Sequence, residues 1–149
     1  MSNPVYFFTK NDQYYELSNF YPQGLTEEGL YWPTVEHYFQ SMKFPGPDNA
    51  DYRERIRRCR SPKDAKKLGR SRDIAIRTDW EEVKEQIMVS ALRKKFSHEK
   101  LKRILIGTGH RELIESSPYD YYWGIGSDGS GKNRLGFLLM AVRSELQTH

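Results

Sequence analysis

Between Thr34 and Phe44 the apolar positions recur with the period of an α-helix. The i, i+3, i+4 and i+7 positions form one apolar stripe, which consists of Val35, Tyr38, Phe39 and Met42. A polar row with the same period follows on a neighbouring face and consists of Glu36, Gln40 and Lys43. The spacing predicts a helix with Thr34 as its N-cap, ended by the Pro45-Gly46-Pro47 cluster. The polar row is by default a solvated helix face; alternatively it carries chemistry.

The remaining pattern predicts a mainly helical chain with a few short strands. Extended segments are expected at Val5–Thr9, Leu25–Trp32 and Arg111–Ser116. Helices are expected at Tyr52–Arg60, from Ser61 to a terminating Gly69, from Thr78 to near Phe96, after Ser97 and from Asn133. The longest apolar stripe consists of Trp80, Val83, Ile87, Ala91 and Leu92. These elements predict an α+β fold in a single domain over residues 1–149.

Composition narrows the classes of function. Lys and Arg number 24 against 20 Asp and Glu, which gives a net charge of +4. This charge suits a phosphorylated substrate but is too small to require nucleic acid. Cys59 is the only cysteine, which excludes an intrachain disulfide and a thiolate metal cluster. The four histidines lack ligand spacing, so no metal site is expected. With no long apolar run and no signal-peptide pattern, a soluble cytoplasmic protein is predicted.

A glycine-rich loop precedes the last predicted helix. Gly126 to Lys132 matches the G-x-x-x-x-G-K part of a phosphate-binding loop. Asn133 stands where a nucleotide hydrolase needs Ser or Thr for magnesium, and the preceding segment is aromatic, so that class is disfavoured. Glycines ahead of a helix N-terminus still predict exposed backbone N–H groups that suit a phosphate, with Tyr122 and Trp123 able to stack on a base. The alternative is a plain connecting loop.

The remaining polar groups suit one kind of reaction. Carboxylates at Glu36, Asp79 and Asp128 accompany Lys43 and aromatic side chains. Cleavage of an N-glycosidic bond in a nucleotide-like molecule needs a carboxylate to stabilise an oxocarbenium-like centre or to activate water. It also needs an aromatic platform for the base and donors for the phosphate.

Long sequence motifs resemble the NADAR/YbiA-like family over nearly the whole chain. They are L-S-N-F-Y-P at Leu17–Pro22, W-P-T-V-E-H-Y-F-Q-S-M-K-F at Trp32–Phe44, D-W-E-E-V-K at Asp79–Lys84, A-L-R-K-K-F at Ala91–Phe96 and Y-W-G-I-G-S-D-G-S-G-K-N-R-L-G at Tyr122–Gly136. The resemblance implies a mainly helical α+β domain with N-glycosidase activity and no cofactor.

The resemblance implies two substrate classes. The first class, which is slightly favoured, is ADP-ribosylated guanine in nucleic acid. With this substrate the protein would pair functionally with a DNA-modifying ADP-ribosyltransferase toxin. The second is a phosphoribosylamino-pyrimidine intermediate of riboflavin biosynthesis, from which ribose 5-phosphate is released. In both, ribose C1 is bonded to an exocyclic amine of a planar base. A non-catalytic ADP-ribose- or NAD-binding module and a scaffold domain are the alternatives from other classes.

Carried onto this sequence, the resemblance implies roles for individual residues. Glu36 becomes the acid/base candidate, and Lys43 the candidate for oxyanion stabilisation or Schiff-base formation. On one helix their spacing would separate them by two turns, roughly 10 Å. Some relatives carry an acid where this chain has Ile125, and Asp128 is the candidate substitute. The implied substrate-binding residues are Asn19, Phe20, Trp80, Tyr122, Trp123, Gly126, Gly129, Lys132 and Asn133. Trp80 is alternatively a core residue.

Overall fold

The computed structural model describes residues 3–148. Its strands are β1 Val5–Phe7, β2 Leu25–Glu27, β3 Leu30–Trp32 and β4 Leu113–Glu115. Its α-helices are α1 Val35–Ser41, α2 Ala50–Arg57, α3 Pro62–Arg70, α4 Trp80–Lys95, α5 Glu99–Gly107 and α6 Arg134–Gln147. Short 3₁₀ turns cover Tyr15–Leu17 and Pro47–Asn49. The expected mainly helical α+β fold with short strands is confirmed.

The described chain forms two compact units. One takes the chain up to Tyr21 and again from Phe96, and the other runs from Pro22 to Lys95. The expected single domain over residues 1–149 stays a prediction.

In the first unit, β1 and β4 pair in parallel with Val5 opposite Leu113. The side chains of Val5, Phe7 and Leu113 are buried because α6 packs on β4 and on α5. The strands expected at both ends of the chain are therefore confirmed and lie side by side.

In the second unit, β2 and β3 form an antiparallel hairpin. Glu28 and Gly29 turn the chain with φ angles of 51° and 81°. Two successive positive φ angles are typical of the tight turns that suit the twist of a hairpin. Helix α1 packs against α2, α3 and α4, and all seven of its residues are buried.

The structure corrects two expectations for α1. The helix begins after Thr34, whose hydroxyl accepts a hydrogen bond from the His37 amide, but it ends at Ser41. Lys43 therefore lies in the turn beyond the helix, where its N–H donates to the Gln40 carbonyl at 3.3 Å. The solvated-face interpretation is also wrong, because neighbouring helices cover the face that carries Glu36 and Gln40.

Two further corrections concern α3 and α4. Helix α3 has the predicted Ser61 cap but continues through Gly69 to Arg70, so this glycine does not end the helix. In α4 the predicted burial is confirmed at Trp80, Ala91 and Leu92 but is wrong at the two middle positions of the stripe. Lys84 and Met88 are buried where Val83 and Ile87 were expected to be.

Candidate active site

Glu36 lies in the first turn of α1 and is only 7% exposed. The side-chain amide of Gln40, one turn further on, donates a 2.6 Å hydrogen bond to Glu36 Oε2. Burial raises the pKa of the Glu36 carboxyl, because desolvation penalises its charged form. The Gln40 hydrogen bond and the charges of Lys66, Lys43 and Arg70 act in the opposite direction without cancelling it. A raised pKa makes this carboxyl a better proton donor than an exposed glutamate, as a general acid and base requires.

The other side of the Gln40 amide packs directly on α3. A Cβ placed on Gly69 would lie 1.9 Å from Gln40 Oε1, so only glycine leaves room for this side chain. Gln40 is 4% exposed, and no group within residues 3–148 donates a hydrogen bond to its Oε1. Gly69 therefore holds the Glu36–Gln40 pair against α3.

Lys43 reaches the same part of α3. Its Nζ donates to the Gly69 carbonyl at 3.3 Å and lies 5.8 Å from the centre of the Trp80 ring. Burial lowers the pKa of Lys43 to about 8. The Glu36 carboxylate raises this pKa, while Arg70, Lys66 and Lys84 lower it further. An amine with this pKa is neutral in a substantial fraction of molecules near physiological pH, which a nucleophilic lysine requires.

Lys43 opens onto a cavity of about 370 Å³ in the second unit. Residues 69–72 and 74–76 form the rest of its lining. Arg70 and Arg72 supply positive charge, and Ile74 and Ile76 supply apolar surface. The cavity is within the usual size range of small-molecule sites.

Trp80 belongs to the core of the second unit. It is 6% exposed, and its ring is tilted against Phe39 with a centroid distance of 4.9 Å. The alternative prediction, that Trp80 is a core residue, therefore agrees with the structure. The contact between its ring and the Lys43 ammonium places it beside the candidate site.

The structure brings together Glu36, Lys43 and Trp80 from the predicted residues. The other predicted site residues belong to the first unit: Asn19, Phe20, Tyr122, Trp123, Gly126, Asp128, Gly129, Lys132 and Asn133. Asn19 is buried, and the Phe20 amide donates to Ser18 Oγ at 3.1 Å in the turn that follows Leu17.

The amides at the end of the glycine-rich loop already have partners in the loop itself. The donors Gly131, Lys132, Asn133, Arg134 and Leu135 give their N–H groups to the carbonyls of Ile125, Tyr121, Gly124, Tyr122 and Trp123. The expectation of exposed backbone donors ahead of α6 is therefore wrong for these positions. Lys132, by contrast, is exposed, with Nζ 5.6 Å from the centre of the Tyr122 ring.

The two glycines predicted to bind substrate have different surroundings. Gly126 has a φ of 72°, and a Cβ there would lie 2.2 Å from the Tyr121 ring. Gly129 has a φ of 80° and faces open space. Tyr122 and Trp123 are half-buried and pack edge to face with a centroid distance of 4.9 Å.

Asn133 performs a structural task. It has a left-handed φ of 50° and is 6% exposed. Its Nδ2 donates to the Leu113 carbonyl at 2.9 Å, and its Oδ1 accepts from the Glu115 amide at 2.9 Å. Both polar atoms of the side chain thus bind the backbone of β4.

Asp128 is exposed at the tip of the loop. Its Oδ1 accepts hydrogen bonds from the Ser130 hydroxyl at 2.7 Å and the Ser130 amide at 3.0 Å. These bonds lower the pKa of the Asp128 carboxyl, the hydroxyl contributing most. Asp128 is therefore ionised at neutral pH and poorly suited to donate a proton.

Sequence reasoning missed the contribution of α3 and the segment after it. From the sequence, the segment with Gly69, Arg70 and Arg72 was interpreted as the end of a helix within a basic tract. A glycine inside a helix pattern often marks a close contact, and this was the available signal.

Residues 3–148 offer neither a cluster of metal ligands nor a membrane-spanning helix. This part of the chain has no group of three or more His, Cys, Asp or Glu able to hold a metal ion. Over the same residues, every helix is too short or too polar to cross a membrane.

The comparison with protein families decides the family. The NADAR domain matches residues 6–147. The chain belongs to the NADAR family. It is 46% identical over 143 residues to N-glycosidase YbiA of Escherichia coli, an alignment that covers 95% of this chain and 88% of the relative. The NMR structure of E. coli YbiA superposes with a TM-score of 0.87, at 44% identity, over 98% of this chain and 86% of that chain.

A second relative carries a different name. The riboflavin biosynthesis protein VVA0006 of Vibrio vulnificus is 39% identical over 150 residues, which cover 100% of this chain and 40% of the relative. From these similarities, this NADAR chain is an N-glycosidase, a hydrolase that acts on N-glycosyl bonds.

Proposed function

We propose that the chain hydrolyses a phosphoribosylamino-pyrimidine between ribose C1 and the exocyclic amine, and so releases ribose 5-phosphate. The observation that carries the proposal is the pairing of buried Glu36 with Lys43, whose pKa is lowered to about 8, at the wall of a basic cavity. The sequence identity of 39% to a relative named for riboflavin biosynthesis favours this substrate over ADP-ribosyl-guanine.

Glu36 and Lys43 can divide the proton transfers of a Schiff-base route. A glycosylamine opens its ring to an imine between C1 and the exocyclic nitrogen. The Glu36 carboxylate takes a proton from the Lys43 ammonium, and the neutral amine adds to C1. The proton left behind on the adding nitrogen moves to the exocyclic nitrogen. Glu36 returns its own proton to that nitrogen, which leaves as the free amine of the pyrimidine.

Hydrolysis completes the cycle. The sugar is then held as a protonated imine between C1 and Lys43 Nζ. Glu36 takes a proton from a water that adds to C1 and then gives this proton to Nζ. The bond between C1 and Nζ breaks as the new C1 hydroxyl passes its proton to Nζ, which leaves the aldehyde and the Lys43 ammonium. The products are the aldehyde form of ribose 5-phosphate and the original Glu36–Lys43 pair. One proton shared by buried Glu36 and half-buried Lys43 therefore serves both halves of the reaction.

A second candidate substrate is ADP-ribosyl-guanine in nucleic acid. The observation in its favour is the exposed basic surface of the second unit, to which Arg55, Arg60 and Lys63 contribute. Part of the basic tract has an internal use, since Arg53 donates to the Phe44 carbonyl and Arg57 pairs with Glu54. Pairing with an ADP-ribosyltransferase toxin belongs to this candidate.

A side-by-side turnover assay tests the proposal. Wild type, Lys43→Ala and the control Lys67→Ala are each given the phosphoribosylamino-pyrimidine or an ADP-ribosylated guanine oligonucleotide, and products are identified by mass spectrometry. We expect ribose 5-phosphate from the first substrate with wild type and Lys67→Ala only. Borohydride added during turnover should fix the sugar to Lys43. Free ADP-ribose from the second substrate alone would overturn the proposed substrate, and an unmodified Lys43 would overturn the Schiff-base route.

A further inference from the structure

We propose that Arg70 and Arg72 form the subsite for the phosphate of the sugar, in the cavity that Lys43 opens onto. The inference rests on the proposed function insofar as the ligand is a ribose 5-phosphate unit. It assigns phosphate binding to the segment after α3 instead of the glycine-rich loop.

The lining of the cavity carries positive charge. Lys43, Arg70 and Arg72 all line it. The positive charge of Arg70 also acts on the two catalytic candidates, since it lowers the pKa of both Glu36 and Lys43. Guanidinium groups bind phosphate oxygens in pairs of hydrogen bonds. A phosphate bound by these side chains would hold the attached ribose within the cavity that contains the Lys43 amine.

The segment also supplies a hydroxyl. Ser71 lines the cavity between the two arginines. Its Oγ accepts a hydrogen bond from the Asp73 amide at 3.2 Å, which leaves the hydroxyl proton available for donation. Ser71 can therefore add a neutral donor to the two charged ones.

Helix α3 ends at this segment, and a helix C-terminus repels anions. The Lys43 ammonium offsets this effect, since it binds the Gly69 carbonyl in the last turn. Arg70 is the last residue of the helix and Arg72 lies two residues beyond it, and both line the cavity. The local field is thus compatible with an anion.

The glycine-rich loop offers fewer donors than its sequence predicted. The amides from Gly131 to Leu135 donate within the loop. A phosphate there would displace these bonds or depend on side chains such as Lys132. No such rearrangement is needed at Arg70 and Arg72.

Calorimetry with ribose 5-phosphate and with ribose as probes tests the subsite in the full chain. We expect Arg72→Ala to weaken ribose 5-phosphate binding about tenfold or more, as for the loss of a hydrogen bond to a charged group, without weakening ribose binding. Arg70→Ala should act in the same direction, and Arg72→Lys should restore part of the affinity. Lys67→Ala removes an exposed charge on α3 that does not line the cavity and should leave affinity unchanged.

Three results would overturn the subsite: wild-type affinity in both arginine variants, equal weakening by Lys67→Ala, or no binding of ribose 5-phosphate to folded wild type. Turnover separates this inference from the proposed substrate. If only the ADP-ribosylated oligonucleotide is hydrolysed, while ribose 5-phosphate still binds through Arg72, the substrate proposal fails and the subsite stands. For the true substrate, Arg72→Ala should raise KM more than it lowers kcat.

Discussion

The side-chain oxygen of Gln40 occupies the space that a side chain on Gly69 would need. A Cβ at position 69 would lie 1.9 Å from Gln40 Oε1. The same Gln40 amide donates to Glu36, and the Gly69 carbonyl accepts from Lys43. One close contact between α1 and α3 therefore positions both groups of the proposed reaction.

Substitution of Gly69 by Ala tests this contact. The methyl group would push Gln40 away from α3, and we expect a loss of about 1–3 kcal/mol in the free energy of unfolding, as in other overpacked cores, with lower kcat. The matched control is Gly107→Ala, because that residue ends α5 with nothing within 4 Å of its Cβ position. Alanine is the better helix former, so the control should keep or gain stability.

A double variant separates packing from chemistry. Gln40→Ala combined with Gly69→Ala removes the clash and should recover part of the stability, measured by urea unfolding. It should not recover kcat, because Glu36 has lost its hydrogen-bond donor. If the double variant loses as much stability as the two single variants lose together, the two side chains are not in contact.

The pH dependence of kcat/KM tests the shared proton of Glu36 and Lys43. In wild type the rate should rise as the pair loses its first proton and fall above a pH of about 8, where Lys43 loses the last one. In Glu36→Gln any residual rate should instead rise with pH until Lys43 is neutral. That rise should be centred below the wild-type value, because the Glu36 charge that raises the pKa of Lys43 is gone.

A control and a contradicting result are available for this profile. For Lys67→Ala, kcat/KM should rise and fall at the same pH values as in wild type. If wild type and Glu36→Gln share the same alkaline limb, the two groups do not share a proton.

Glu36→Gln should also make the protein more stable at neutral pH. Because the folded-state pKa of Glu36 is raised, the folded chain binds this proton more tightly than the unfolded chain does. Stability therefore falls as the pH rises through the folded pKa, and the glutamine variant avoids this loss. Thermal unfolding should show a higher Tm for the variant at pH 7 and a smaller difference below the unfolded pKa, about 4.3.

The exposed Glu82 on α4 provides the control for that measurement. Glu82→Gln should change Tm little at either pH. A lower Tm for Glu36→Gln at pH 7 would mean that Glu36 stabilises the fold as an ion.

The sequence predicted local structure better than contacts between distant elements. The Thr34 and Ser61 caps and the strands at Val5 and Leu113 follow from nearby residues, and the structure confirms them. Gly69 shows the limit, because its close approach to Gln40 depends on the packing of α1 on α3. Burial of the Glu36 row was missed for the same reason, since the period of a helix shows its faces but not how many neighbours cover them.

Substitution of Asp128 by Asn tests the remaining carboxylate candidate. The exposed side chain accepts hydrogen bonds from Ser130 and is ionised at neutral pH. We expect kcat to change by less than about threefold, whereas loss of a general acid or base costs roughly 100-fold or more. A large drop in kcat, measured with unchanged Tm, would restore Asp128 to the catalytic residues.

Asn133 allows a structural role to be told from a role in substrate binding. Asn133→Ala would leave the Leu113 carbonyl and the Glu115 amide without their partner and strain a left-handed backbone. We expect a loss of about 2 kcal/mol or more in the free energy of unfolding, since each buried polar group left unpaired costs about 1–3 kcal/mol. Asn133→Gly relieves only the backbone strain and should be intermediate in urea unfolding. In folded protein at low temperature, KM should stay at the wild-type value for both variants, and a raised KM with unchanged stability would instead place the side chain on the substrate.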